Sequence, residues 1–306
     1  MHDKPKLILQ IDCDSEYVMQ EHYGLPKQNG YAYYSALELF IEKFKEAKLK
    51  STLFVVGKDM ENKCVQPYII DAINNGHEIA NHSFEHPNRF SNLSDGRFLN
   101  EIQKTNNVVH SVFGLICKGF RAPNFDIKPS HMKILKQEGF QYDCSVLSTP
   151  YLPIIKLLKG TDTKKSGYMG KTHLTPRKPY VPNEKKIWKE EEGGHNNSFI
   201  EIPITTFPYL KFPCHFSYLL AASPKFAIRI MTTLIKWHVK RKEPLIFLFH
   251  LADLVDNKFL HGTELKHYRS LEERLFLLDR FIGMVSNAFD SLTTSEYCDL
   301  LKAGVI

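Results

Sequence analysis

The stretch LILQIDCD, residues 7–14, decides the fold that we expect for this chain. It begins as an apolar run without alternation, which is typical of a parallel strand buried on both faces. Two acids, Asp12 and Asp14, close the run. Residues two apart on a strand point to the same side, so we expect both carboxylates to face together and Cys13 to face away. The alternative for the acids is a solvated turn at the end of the strand.

Strand-like and helix-like patterns alternate along the rest of the chain. Strands are predicted at 7–11, 52–56, 78–80, 116–121, 140–146, 199–205 and 245–250. Helices are predicted at 33–48, 66–75, 96–113, 129–138, 225–242 and 271–286. Such alternation indicates an α/β fold, in which helices cover a parallel sheet that is either a barrel or doubly wound. We predict one domain over residues 1–306, with a loop-rich insertion at about 150–198 where the alternation breaks.

The composition narrows the classes of protein to consider. The 306 residues are 43% hydrophobic, which is enough for a large core. The 40 basic and 34 acidic residues give a formal net charge of +6, a mild bias from which we expect no nucleic-acid partner. No C-x-x-C pair occurs, so we expect neither a thiolate zinc site nor a disulfide framework. The six cysteines are Cys13, Cys64, Cys117, Cys144, Cys214 and Cys298.

The apolar segments bear on location. The opening residues MHDKPKLILQID contain too short an apolar run for a signal-peptide core, and no stretch of about 18 apolar residues follows. We therefore expect a reducing, cytoplasmic compartment.

A second polar cluster, NHSFEH at residues 81–86, follows the short predicted strand at 78–80. His82 and His86 are four apart, and on a helical turn they would share one face, with Cβ atoms roughly 5–6 Å apart. Such a pair can hold one cation, although it also occurs on ordinary surfaces. Two imidazoles and one carboxylate would leave positions open on a metal, which is a catalytic rather than a structural arrangement.

Further polar residues lie at or near the ends of other predicted strands. Arg121 stands in FRAPN with Pro123, and a surface ion pair is its commoner role. Asp143 stands in YDCS. His250 ends the apolar stretch LFLFH, where a histidine is either a hydrogen-bonded core residue or a group aimed into a site.

Taken in order, these segments resemble the polysaccharide deacetylase family, also called the NodB homology fold or carbohydrate esterase family four. The resemblance covers 7–146 and returns at 200–203 and 245–253. GHEIANHSFEH, residues 76–86, is its most specific part, while FRAP, GFQYDCS and LFLFH are weaker and correctly placed. The D-x-D spacing is the form seen in the intracellular and peptidoglycan-type branches. The resemblance implies a distorted β/α barrel with fewer strands than the eightfold form.

The resemblance also implies a metal site. Asp14, His82 and His86 would bind one divalent cation. Zinc is the expected metal, with Mn²⁺, Co²⁺ or Fe²⁺ as alternatives, because a set of two histidines and one aspartate discriminates poorly.

The same resemblance implies catalytic roles. Asp12 would be the base, Arg121 would orient Asp12, and His250 would be the acid. Asp143 and Pro123 are candidate supporting residues. Asp143 is only an approximate counterpart of the acid that supports the catalytic histidine in secreted members of the family.

The implied reaction is hydrolysis of the N-acetyl, or another N-acyl, amide of an amino sugar. A bound cation lowers the pKa of its water and polarises a carbonyl, and an amine leaves readily only when it is protonated. The substrate could be a lipid-linked or cell-envelope precursor. Three alternatives are an allantoinase-like amide hydrolase, an iron oxygenase and a non-catalytic metal-holding protein. Asp14 lies far upstream of His82, which is not the usual oxygenase order, and the presence of Asp12 and His250 argues against a non-catalytic protein.

Two neighbouring segments suggest peripheral membrane contact. FPYLKFPCHFSYLL, residues 207–220, is unusually aromatic for a loop. In the helix predicted at 225–242, a basic stripe within about 60° lies beside a broad apolar side, which suits an interfacial helix on anionic lipid. A barrel helix that buries one face gives the same pattern. The stripe is Lys225, Arg229, Lys236 and Lys240, and the apolar side is Phe226, Ile230, Leu234 and Trp237.

Overall fold

A computed structural model of the chain describes residues 4–14, 18, 31–151, 169–192, 199–208, 211–213, 215–259 and 269–305. The chain groups into two compact units. The first unit comprises residues 1–55, 59–79 and 214–294, and the second unit comprises residues 56–58, 80–213 and 295–306.

The described elements follow one another along the chain as follows. The strands are β1 (Lys6–Cys13), β2 (Ser51–Val55), β3 (Glu78–Asn81), β4 (Gly119–Phe120), β5 (Tyr142–Asp143), β6 (Ile200–Glu201), β7 (Leu245–His250) and β8 (Asp290–Leu292). The α-helices are α1 (Tyr31–Glu46), α2 (Gly57–Met60), α3 (Gln66–Asn74), α4 (Asp95–Phe113), α5 (Pro129–Gln137), α6 (Phe216–Ala221), α7 (Pro224–Arg241), α8 (Leu271–Val285) and α9 (Thr294–Lys302).

Strand β1 is the centre of the first unit. On one edge it pairs in parallel with β7. On the other edge its first three residues pair with β8 and the rest, Leu9–Cys13, pair with β2, again in parallel. All residues of β1 after Lys6 are buried, which explains why its sequence shows no alternation.

Aromatic side chains cover this sheet within the first unit. From α1, the rings of Phe40 and Phe44 lie 5.3 Å and 5.9 Å from that of Phe249 on β7. From α8, the ring of Phe281 lies 4.4 Å from that of Phe247 on the same strand. Offset and edge-on contacts at these distances add to the apolar area that is buried. The strand that ends in His250 is therefore held firmly by its neighbours.

Strand β3 passes from the first unit into the second, with Glu78 and Ile79 in the first and the remaining residues in the second. In the second unit β3 pairs in parallel with β4, β4 with β5, and β5 with β6. The parallel pairing and the alternation with helices confirm the predicted α/β class.

The strands of the second unit are shorter than the predicted ranges 116–121, 140–146 and 199–205, since only two residues of each are in ladder pairing. Beyond the ends of these strands, several backbone N–H groups donate to polar side chains. The N–H of Ser145 donates to Asp143 Oδ2 at 3.0 Å, and the N–H of Ala122 donates to Ser145 Oγ at 2.8 Å. Periodicity cannot reveal this change of partner.

Other differences lie in the connecting segments. The segment read as an aromatic loop contains helix α6, and β8 and α9 were not predicted. Within the predicted insertion, residues 169–192 form a short 3-10 helix and isolated bridges, including Tyr180 with Glu201. Residues 152–168 and 193–198 lie outside the described part. The division into one domain with an insertion stays a prediction.

Candidate active site

The histidine pair lies on an irregular loop after β3, so the predicted helical turn is wrong. Ser83 and His86 have φ of 65° and 49°, in a region that residues other than glycine rarely adopt. The rings of His82 and His86 are nevertheless 5.0 Å apart, and a ligand nitrogen of each lies within 4.8 Å of the other. The pair can therefore share a cation without helical spacing.

Side chains of the second unit hold this loop in its strained conformation. Oδ1 of Asn81 accepts the N–H of Ser83 at 2.8 Å. Oε2 of Glu101, on α4, accepts the N–H groups of Phe84 and Glu85 at 3.0 Å and 2.9 Å. Left-handed residues persist only where the surroundings over-determine them, and such strain clusters at functional sites.

One hydrogen bond fixes the proton on the His82 ring. Nδ1 of His82 lies 2.7 Å from the carbonyl oxygen of Arg121. A carbonyl only accepts, so Nδ1 donates and the lone pair lies on Nε2. Metal-binding histidines characteristically donate their other ring N–H in this way. The donor chemistry of this loop therefore fits a divalent cation.

Arg121 is not a surface residue. Its side chain is 0% exposed, Nε donates to the carbonyl of Cys144 at 3.2 Å, and the guanidinium carbon lies 5.4 Å from the ring centre of Phe125. The surface ion pair considered from the sequence is therefore wrong. An arginine is buried only where its N–H groups have hydrogen-bond or ionic partners. Pro123 is buried at the start of the short turn Pro123–Phe125 that follows.

Asp143 lies beside a second buried acid, Glu201, its register partner on β6. Burial raises the pKa of both carboxyls, and the charge of Asp143 adds to burial in raising the pKa of Glu201 well above its usual range. Asp143 also accepts the Ser145 hydroxyl at 2.6 Å. Two buried carboxyls side by side disfavour having both groups ionised.

The first unit brings Asp12 and His250 together. They are register partners on β1 and β7, and Nε2 of His250 lies 3.8 Å from Oδ2 of Asp12. Asp12 is 3% exposed, and Asp14, just beyond β1, is half-buried. The His250 side chain is 24% exposed, which favours a group aimed into a site over a sealed core histidine.

Two residues that the sequence reasoning missed contact His250. Ser217 Oγ lies 3.2 Å from Nδ1 of His250 and donates to Asp253 Oδ1 at 2.6 Å. Asp253 could have been noticed as an acid three residues after the histidine. Ser217 gives no local signal, because the fold alone brings α6 to this strand end.

Two cysteines adjoin acidic candidate site residues in the sequence. Cys13 and Cys144 are buried free thiols, and burial, followed by the charge of Asp12, raises the pKa of Cys13 well above its usual value. A thiol in this state is a poor nucleophile.

About a third of the chain is similar in sequence to known polysaccharide deacetylases. Residues 31–142 match the sequence profile of the polysaccharide deacetylase family. A peptidoglycan-N-acetylglucosamine deacetylase of Bacillus cereus is 30% identical over 101 residues, which are 33% of this chain and 35% of that protein. An uncharacterized protein of Bacillus subtilis is 28% identical over 102 residues, 33% and 31% of the two chains. The chain thus spans about a third of the length of these curated relatives.

Solved structures share the fold over nearly the whole chain. A candidate polysaccharide deacetylase from Mycobacterium smegmatis has a TM-score of 0.62 at 15% identity, covering 99% of this chain and 92% of that one. The carbohydrate esterase domain of a xylanase from the hindgut metagenome of Trinervitermes trinervoides has a TM-score of 0.51 at 12% identity, covering 99% and 92%. A pseudoenzyme of family four from Bacillus anthracis has a TM-score of 0.50 at 14% identity, covering 98% and 67%.

The predicted α/β fold of the NodB-like deacetylase type is confirmed. Residues 31–142 are thus similar to polysaccharide deacetylases, as the motifs predicted. That family consists of hydrolases that remove acetyl groups from sugars. Because a pseudoenzyme shares the fold, turnover has to be argued from the residues of this chain.

Proposed function

We propose that the protein is a metal-dependent N-deacetylase, a hydrolase of non-peptide carbon–nitrogen bonds, that acts on an N-acetylated amino sugar. The observation that carries the proposal is the facing pair of Asp12 and His250, whose reactive atoms lie 3.8 Å apart at the ends of β1 and β7. A carboxylate and an imidazole at this separation supply a base and an acid to one bond. The relationship to polysaccharide deacetylases gives the substrate class.

We propose that Asp14, His82 and His86 bind one divalent cation, with Zn²⁺ expected and Mn²⁺, Co²⁺ or Fe²⁺ as alternatives. The close ring nitrogens of the two histidines and the bond from Nδ1 of His82 to the Arg121 carbonyl support this set. When bound, such a cation lowers the pKa of water and polarises an amide carbonyl.

The residues of the chain would perform the proton transfers. Asp12 accepts a proton from the attacking water, whose oxygen forms a bond to the carbonyl carbon. His250 donates a proton from Nε2 to the nitrogen as the carbon–nitrogen bond breaks, giving a free amine and acetate. Arg121 is proposed to orient Asp12, with Asp143 and Pro123 in support.

Release of acetate tests this proposal. The purified chain is offered N-acetylglucosamine oligomers, peptidoglycan fragments, a lipid-linked N-acetyl amino sugar and allantoin, with Asp12→Asn as the inactive control. Acetate from an acetylated sugar that disappears in the control supports a deacetylase and names its preferred substrate. Ring opening of allantoin without release of acetate would instead indicate an allantoinase-like amidase. Metal binding without any turnover leaves a metal-holding protein.

We propose that the enzyme works in the cytoplasm at a membrane surface, on a lipid-linked or envelope-precursor amino sugar. Its five described cysteines, Cys214 lying outside the described residues, are free thiols, the state expected in a reducing compartment. In the described parts of the chain, no helix has the length and apolar character needed to cross a bilayer.

Helix α7 is the proposed membrane-facing element. Its 18 residues include no acid, and the basic stripe predicted from the sequence is exposed. Phe226, next to that stripe, is 56% exposed, whereas Leu234 is buried, so the apolar side is narrower than predicted. A basic face bordered by an exposed aromatic ring suits the headgroup region of anionic lipid.

A further inference from the structure

A chain of three side chains in the first unit ends on the imidazole of His250. The Ser217 hydroxyl oxygen lies 2.6 Å from Oδ1 of Asp253 and 3.2 Å from Nδ1 of His250. The other carboxylate oxygen of Asp253, Oδ2, accepts the backbone N–H of His250 at 2.9 Å. One carboxylate therefore holds this histidine twice, at its backbone and, through a serine, at its ring.

The donors and acceptors fix the direction of these bonds. An ionised carboxylate only accepts, and a hydroxyl has a single proton to donate. The bond to Asp253 is the shorter, and bonds to charged acceptors are the stronger, so the proton of Ser217 points toward Asp253. The lone pairs of Ser217 then face Nδ1 of His250, which makes a favourable contact only if Nδ1 carries a proton.

The surroundings hold the two supporting residues in place. Asp253 lies in the one-turn helix Leu251–Leu254 directly after β7, and it is buried. The guanidinium of Arg274, buried on α8, donates to the carbonyls of Asp253 and Val255 at 2.9 Å and 2.8 Å. Ser217 stands in the first turn of α6. Neither side chain needs to move to reach the histidine.

We propose that Ser217 and Asp253 are positioning residues that keep Nδ1 of His250 protonated, so that Nε2 is the nitrogen that gives a proton to the leaving amine. The inference rests on the proposed acid role of His250. It assigns the support of this histidine to an acid that acts through a serine. That acid lies on the same turn as the histidine and is not the predicted Asp143.

These residue types also make up the triad of serine hydrolases, but their order here is different. In such a triad the imidazole stands between the serine and the acid, and it removes the proton of the serine. Here Ser217 stands in the middle, and its proton is held by Asp253 at 2.6 Å. Ser217 is therefore assigned a positioning role, not that of a nucleophile.

The substitution Asp253→Asn reverses the direction of the chain. The amide oxygen of asparagine is needed to accept the N–H of His250, which leaves the amide nitrogen facing Ser217. The serine then accepts from the amide and donates its own proton to Nδ1. The neutral ring is pushed to the form with its proton on Nε2, and Nδ1 loses its hydrogen-bond acceptor.

The test combines imidazole ¹⁵N spectra with two rates, using the full chain loaded with zinc. His250→Gln assigns the His250 signals. We expect a protonated Nδ1 in the neutral ring of the wild type and of Ser217→Thr, and an unprotonated Nδ1 in Asp253→Asn. We expect Asp253→Asn to slow N-acetyl hydrolysis by about 10²-fold, but to change hydrolysis of 4-nitrophenyl acetate by less than about threefold, because a nitrophenolate leaves without a proton. Asp279→Asn, an exposed carboxylate of α8, is the matched control.

An unprotonated Nδ1 in the wild type, or an Asp253→Asn chain with unchanged spectra and unchanged relative rates, overturns the assignment. If Asp253→Asn does not fold, Ser217→Ala and Ser217→Thr decide, since only threonine keeps the hydroxyl. Equal spectra and rates in those two variants also overturn it. The spectra need no turnover, so failure of this assignment is distinguishable from failure of the deacetylase proposal. Covalent labelling of Ser217 by a fluorophosphonate would assign it as a nucleophile.

Discussion

The ring of His82 is tied to the backbone of Arg121: Nδ1 donates to the Arg121 carbonyl at 2.7 Å, and the Arg121 N–H donates to the carbonyl of Asn81 at 3.0 Å. The same pairing of β3 with β4 thus sets both the strand register and the orientation of the imidazole. Because the ring is already held by this bond, it would lose little side-chain freedom when Nε2 binds a cation.

We expect His82→Ala and His86→Ala to lose most of their bound divalent metal, since each removes one of three proposed ligands. Metal content per chain is measured by mass spectrometry after dialysis against a weak chelator. His110→Ala, an exposed histidine of α4, should keep the wild-type content. Full occupancy in both site variants would rule out the ligand set.

We expect Asp12→Asn to keep its metal and to lose turnover by about 10²–10⁴-fold, because the base is not a ligand. His250→Ala should fall similarly on N-acetyl sugars, and less on substrates whose leaving group needs no proton. Steady-state rates together with metal content are the measurement. Wild-type rates for His250→Ala on an N-acetyl sugar would return this residue to the core histidine considered from the sequence.

The sequence predicted those parts of the fold in which one face or the whole element is buried. The strand predicted at 245–250 is found as Leu245–His250, and the helix at 271–286 is found as Leu271–Val285. Strands β4, β5 and β6 are shorter than predicted, because side chains such as Asp143 take over the backbone hydrogen bonds, and periodicity carries no information on that exchange.

The site residues were recognisable individually, but their arrangement was not. The four-residue spacing of His82 and His86 suggested a helix, whereas two left-handed residues and the side chain of Asn81 bring the rings together on a loop. Ser217 reaches His250 across more than thirty residues of sequence, which only the tertiary fold determines.

Two buried histidines should make the fold sensitive to acid. Burial lowers the pKa of His77 and of His131 to about 4, against an ordinary value of 6.5. Because the folded state favours the neutral rings, the stability they contribute is present above pH 6.5 and is lost as the pH falls toward 4. Each shift corresponds to up to about 3 kcal/mol.

The variant His131→Phe isolates one of these contributions, since a phenyl ring can keep the stack on Phe98, now 4.1 Å between ring centres. We expect its free energy of unfolding in urea to fall less than that of the wild type between pH 7 and pH 4.5. Comparison at each pH removes the opposite effect of Glu201, whose raised pKa stabilises the fold as the pH falls. Identical pH profiles would show that His131 titrates normally.

The buried thiols should be unreactive in the folded protein. We expect an aromatic disulfide reagent to label Cys64 rapidly, because it is exposed, and to label Cys13 and Cys144 only after unfolding. Cys64→Ser removes the contribution of Cys64 to the rapid phase and serves as the control. Cys13→Ala should keep its turnover. Loss of chemistry in Cys13→Ala with intact folding would contradict a purely structural role.

Helix α7 provides the last prediction, that the protein binds anionic membranes in a salt-dependent way. We expect the wild type to sediment with vesicles rich in phosphatidylserine at low salt and to leave them at high salt. Each basic residue near such a surface contributes about 1 kcal/mol, so the double variant Lys236→Glu and Lys240→Glu should weaken binding by at least about thirtyfold. Phe226→Ala should weaken the vesicle binding that remains at high salt.

The matched control for this pair is Lys133→Glu with Lys136→Glu, which reverses the same number of charges on the exposed face of α5. Its binding should fall much less if α7 itself docks, because attraction that depends only on net charge would fall equally in both pairs. Equal losses of vesicle binding in the two double variants would therefore indicate a general electrostatic attraction and would rule out a docking role for α7. If the wild type stays in the supernatant at low salt, α7 is an ordinary surface helix, and the substrate to look for is a soluble amino sugar.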